Sequence, residues 1–133
     1  MLRAAIVVSP RAAAAHHALG LTLTRLKKPG PALSEFRRAA ELEPSATRYQ
    51  YVYAVGLHSA GQREEAMTVL NEALENHPGN REILQALVSF SRMAGDAKAA
   101  LGYAEQLAVV APDDQALAAL IRDLRRASKP SAN

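Results

Sequence analysis

The chain contains no cysteine and no tryptophan, and its aromatic side chains are two phenylalanines and four tyrosines among 133 residues. The lack of cysteine excludes disulfides, thiolate zinc sites, thiol catalysis and covalently attached haem. Few aromatics and an apolar fraction rich in alanine weigh against a sheet, whose strands favour β-branched and aromatic residues. No stretch approaches the roughly 20 consecutive apolar residues of a membrane-spanning helix, so membrane insertion is not expected. The opening MLRAAIVVSP has an apolar run of only five residues, Ala4 to Val8, too short for a secretory core. Charge of one sign is scarce too: the net charge is +3 and the basic residues are dispersed. A nucleic-acid partner normally meets a clustered basic face, so none is expected. There is no glycine-rich phosphate loop, metal motif or Ser-His-Asp ordering. The chain therefore does not read as an enzyme, and no cofactor or metal is expected.

What remains is dominated by leucine, alanine, glutamate and arginine, all good helix formers. The length suits one domain with a real core. This composition predicts an all-α protein. The decisive signal is a repeat: Pro10, Pro44, Pro78 and Pro112 are each 34 residues apart. Each follows a helical-looking run, and a proline there stops a helix because it lacks the amide donor and clashes with the preceding turn. Other columns keep the same phase. Ala5, Ala39 and Ala73 precede the prolines, with Leu107 in that column last. Ala32, Ala66 and Ala100 form a column of small residues, and Phe36, Leu70 and Ala104 another. Leu19, Tyr53 and Leu87 form a large apolar column followed by Gly20, Ala54 and Val88. Gly61 and Gly95 fall where two helices join.

These columns resemble the tetratricopeptide repeat (TPR) family. The resemblance implies a TPR-type right-handed α-solenoid of antiparallel helical hairpins, with repeats at about 13–46, 47–80 and 81–114 and a capping helix at 114–127. Residues 1–12 would be a partial preceding repeat or short helix, and 128–133 a disordered tail. The sequence departs from the family where a bulky tryptophan is often found: His16, Gln50 and Leu84 stand there. Val88 and Ala104 also reverse the usual small and large preference, as a volume exchange. Leu19 is expected in the core, as is His16, and Ser45 and Asp113 are expected at or near helix N-caps.

In this family the first helix of each repeat lines a concave groove that holds a peptide or protein segment. Carried onto this chain, the resemblance implies His17, Leu21 and Arg25 in the first repeat, and Arg48, Tyr51, Val55 and His58 in the second. Gln85, Ser89 and Arg92 follow in the third. Thr24, Glu82, Asp123 and Arg126 lie on the same faces. The mix is amphipathic with a basic bias, which implies a partner with some acidic character. The competing reading is that these are ordinary solvated residues on a helix face. The family's clamp for a C-terminal carboxylate is absent, because His17, Leu21, Val52, Glu82 and Ala86 stand where its donors would be. The adjacent His16 and His17 point about 100° apart on a helix and cannot chelate one metal well.

An alternative function is a structural or oligomerisation segment of a larger bacterial protein. The stretch RYQYVYAVGLHSAG, from Arg48 to Gly61, is similar to TPR tails behind multi-haem cytochrome-like domains. The apolar Ala4–Val8 stub would then allow self-association. The cytoplasm is favoured as compartment, with the periplasm if the chain is excised from a secreted parent.

Overall fold

A computed structural model describes residues 10–129. The expected self-associating stub at 4–8 and the end of the expected tail, 130–133, lie outside them. The described residues form seven α-helices and no strand: α1 (Pro10–Arg25), α2 (Pro29–Leu42), α3 (Thr47–Ser59), α4 (Arg63–Asn76), α5 (Arg81–Met93), α6 (Ala97–Val110) and α7 (Gln115–Ser128). The all-α expectation is met. Pro10 opens α1 instead of closing a helix, because a first-turn amide has no partner to lose. Pro29 does the same for α2. None of the described helices is long and apolar enough to cross a membrane.

The chain divides into two compact units, Met1–Val69 and Leu70–Asn133. In the first, α1 packs on α2 and α2 on α3. Its core is built from Ala13, Ala32, Phe36, Ala39, Tyr53, Ala54 and Leu57, all buried. Small residues let the helices approach closely and Phe36, Tyr53 and Leu57 fill the gaps. In the second, α5 packs on α6 and α6 on α7. There Leu84, Val88, Ala100, Ala104, Leu107, Leu117, Ile121 and Leu124 form one cluster. Val88 and Ala104 are both buried in it, as expected of a volume exchange. Each buried Leu or Ile contributes about 1.5–3 kcal/mol relative to exposure.

The turn within each helical pair closes in the same way three times. Lys27, Gly61 and Gly95 each adopt positive φ, at 60°, 84° and 76°. The next amide then donates five residues back: Lys28 to Leu23, Gln62 to Leu57 and Asp96 to Ser91, at 2.9 Å each. This is the Schellman closure, which satisfies carbonyls left over at a helix end. The three sites are 34 residues apart, but only two are glycine.

Ser45 and Asp113 each stand directly before an N-cap, as near-cap residues. The α7 N-cap is Asp114, and its side chain accepts from the Leu117 amide at 2.9 Å. For α3 the N-cap position is Ala46, not Ser45, and it has no side-chain cap. Asn80 caps α5 and Asp96 caps α6, each accepting an amide at 3.0 Å. Leu19 is also not core: it is 47% exposed, whereas Tyr53 and Leu87 of its column are buried. A column fixes an orientation on its own helix. Burial further requires close packing on that side, and Leu19 is left about half exposed.

The column that often holds tryptophan is solved with three different chemistries. His16 is only half-buried, and its Nδ1 lies 2.7 Å from the Glu35 carboxylate. The Gln50 side-chain amide donates to the Ala40 and Pro44 carbonyls, at 3.0 and 3.2 Å. Leu84 is fully buried.

Candidate interaction face

The first helix of each pair presents most of the expected face to solvent. On α1, Leu21 and Arg25 are exposed. On α3, Arg48 and Val55 are exposed and Tyr51 and His58 half-buried. On α5, in the second unit, Gln85, Ser89 and Arg92 are exposed, while Ile83, Leu84, Leu87 and Ser91 turn inward. The 3.6-residue period of a helix separates these two sets. Of the further residues, Thr24, Asp123 and Arg126 are exposed and Glu82 is half-buried. Arg126 pairs with Asp123 one turn away.

His17 differs from the rest. Its ring packs against Phe36 and Tyr49, with centroids 5.8 and 5.0 Å away. Its Nδ1 is buried with no hydrogen-bond partner among the described residues. Burial, and secondarily the Arg48 guanidinium, hold its pKa below the ordinary 6.5, so the ring is neutral near pH 7. His17 is therefore a wall between helices more than an open side chain. No group of three or more His, Asp or Glu suited to a metal occurs among the described residues.

Arg48 places its Cζ 5.6 Å from the centre of the Tyr51 ring, a cation–π pair three residues apart on α3. Beside it in the first unit lies an apolar groove of about 460 Å³ between α1, α2 and α3. Leu21, Leu33, Phe36, Val52 and Val55 supply its walls. Gly56, Ser59 and Ala60 leave it open by being small. Of these residues, only Leu21 and Val55 are among those the family resemblance implies. One signal for the rest was in the repeat: the column that holds Thr22 and Gly56 holds the larger Phe90 and Leu124 in the later periods.

Residues 47–90 match the tetratricopeptide repeat family model. A TPR repeat-containing protein of Pseudomonas aeruginosa is 30% identical over 128 residues, covering 96% of this chain and 52% of that protein, so the chain spans about half its relative's length. A tetratricopeptide repeat protein from Parabacteroides merdae superposes with a TM-score of 0.75 at 18% identity, over 86% of this chain and 46% of that one. The first TPR of Spaghetti (RPAP3), solved with an HSP90 peptide, superposes with a TM-score of 0.76 at 13% identity, over 92% of this chain and 97% of that one. At such identities the structures speak for the fold. Residues 47–90 thus carry tetratricopeptide repeat sequence, and the described helices have the tetratricopeptide-repeat fold.

Proposed function

We propose that this protein is an interaction scaffold whose first-of-pair helices take a peptide or protein segment of acidic character. Tetratricopeptide repeats as a family are interaction modules and not catalysts, and the Spaghetti domain is itself held with a peptide. One observation carries the acidic preference. In the first unit α1 and α3 contain no Asp or Glu, whereas Glu35, Glu41, Glu64 and Glu65 all lie on α2 and α4. Arg25 and Arg48 are exposed on these helices, and His58 is half-buried on α3. An anionic partner gains attraction there, whereas on α2 the glutamates offset Arg37 and Arg38, which favours register and association rate. Arg48 and Tyr51 add the residue types that dominate interface energies.

The test is capture of binding proteins by the wild-type chain beside the Arg48→Ala/Tyr51→Ala/Arg92→Ala variant, with helical content checked by circular dichroism. The reading expects direct partners that the folded variant loses. Partners retained equally by both proteins would move the site off this face.

A further inference from the structure

We propose that the groove between α1, α2 and α3 is a socket for one bulky aliphatic side chain of an acidic segment. This rests on the scaffold reading above and makes the ligand more specific. Gly56, in the last part of α3, shares a repeat column with Thr22 before it and with the larger Phe90 and Leu124 after it. Leu124 is buried within the core cluster of its own unit. At Gly56 the corresponding space stays open, and Leu33 and Phe36 of α2 form its floor. The side walls are Leu21 from α1 and Val52 and Val55 from α3. Leu21 is 45% and Val55 36% exposed, so apolar surface faces water at the rim.

The groove's volume of about 460 Å³ falls in the range of clefts that bind compact ligands, about 300–1,000 Å³. Its lining is apolar, so the inserted group is a hydrocarbon. The surroundings set the charge of what carries it. Pro29 lines the socket and directly follows Lys27 and Lys28, both exposed. Arg25 is exposed one residue beyond Thr24, another lining residue. The helices that flank the socket, α1 and α3, carry no carboxylate. A leucine or similar side chain with acidic residues on either side satisfies both features. A second copy of this chain satisfies them poorly, since its own exposed leucines and valines on α1 and α3 come with the same positive charge.

The test uses the full chain and a fluorescein-labelled peptide of sequence EEGLGEE, read by fluorescence anisotropy up to about 1 mM, where even a weak contact registers. Replacing the central leucine by alanine should weaken binding about tenfold or more, from the apolar surface no longer buried. The Gly56→Leu variant plugs the socket with the side chain found at Leu124. A Cβ at Gly56 lies 3.0 Å from the flexible Leu33 Cδ1, so a small shift admits it. This variant should melt no lower than wild type, because leucine is the better helix former, yet bind as weakly as the alanine peptide does. Leu21→Gln, at the exposed rim, is the second variant and should also lose most of the leucine-dependent binding. A lysine version of the peptide should not bind. The socket is refuted if wild type ignores the leucine peptide, or if leucine and alanine peptides bind alike. It is equally refuted if Gly56→Leu binds like wild type. Concentration-dependent dimers in sedimentation that vanish in Gly56→Leu would assign the groove to a second copy and also overturn it. A peptide that binds wild type and Gly56→Leu equally but not Arg48→Ala/Tyr51→Ala would leave the scaffold reading standing while removing the socket.

Discussion

The Phe36 ring of α2 lies directly on the bare backbone of Gly20 in α1. A Cβ on Gly20 would fall 2.5 Å from Phe36 Cε1 and 2.6 Å from Cδ1. On its other edge, Cδ2 is 3.7 Å from where a Cβ on Gly56 would be. The ring is 6% exposed and so has little room to retreat. The ring thus requires the bare backbone of Gly20, whereas at Gly56 it would meet a Cβ at ordinary van der Waals distance.

Gly20→Ala should therefore destabilise the protein by about 1–2 kcal/mol, overpacking outweighing the roughly 1 kcal/mol that alanine gains over glycine in a helix. In a Phe36→Leu background the same substitution should become neutral or stabilising. Urea unfolding of the four proteins gives the comparison. An unchanged effect in both backgrounds would mean that the ring is not the obstacle.

Lys27→Gly should stabilise by about 0.5–1 kcal/mol. The lysine holds φ 60° where its counterparts are glycine. A side chain in that conformation costs about 1–2 kcal/mol, of which glycine's larger entropy loss on folding returns about half. Gly61→Lys is the mirror experiment and should lower the urea midpoint. Equal midpoints for Lys27→Gly and wild type would show that the turn is not strained.

Ala46→Asp should add about 1 kcal/mol. Ala46 has the extended backbone of a cap, φ −83° and ψ 99°, close to Asp114 at −76° and 104° in the same repeat column. Ala46 offers the first turn of α3 no side-chain acceptor of its own, and a carboxylate there also meets the positive end of the helix dipole. Thermal unfolding should show a rise of several degrees. No rise would imply that those amides already have acceptors.

Stability should fall on acidification in a way that depends on His17. Its folded pKa lies below the ordinary 6.5 through burial first and Arg48 second. The folded state then binds fewer protons than the unfolded chain, so the histidine's contribution is intact above 6.5 and is lost as pH falls below it. Urea unfolding at about pH 7.5 and about pH 5.5 should show a smaller difference for His17→Gln than for wild type. Arg48→Ala should reduce the difference in part. A His17→Gln protein with the full wild-type pH dependence would place the effect elsewhere.

The helices were legible in the sequence because a 34-residue period with proline stops and alanine columns constrains every segment at once. What stayed hidden depends on neighbours or on single backbone angles. Leu19 carries the same pattern as Leu87, and only the packing around each shows that one is exposed and the other buried. The positive φ at Lys27 was masked by its side chain, although its distance from Gly61 pointed to it. His17 read as an open groove residue, but its ring packs against Phe36 of α2 and Tyr49 of α3. The apolar groove is a void, and its one trace in the sequence is that Gly56 and Thr22 share a column with the larger Phe90 and Leu124.

The most direct measurement for the central claim is a titration of the isotope-labelled chain with a short acidic peptide, followed by backbone amide chemical shifts. Perturbations should gather on α1 and α3, around Leu21, Arg25, Arg48, Tyr51, Val55 and His58. The amides of Arg37 and Arg38, equally basic but on α2 beside Glu41, should stay in place. Shifts centred on Arg37 and Arg38, or spread evenly over all arginines, would contradict it and reduce the face to ordinary solvated charge.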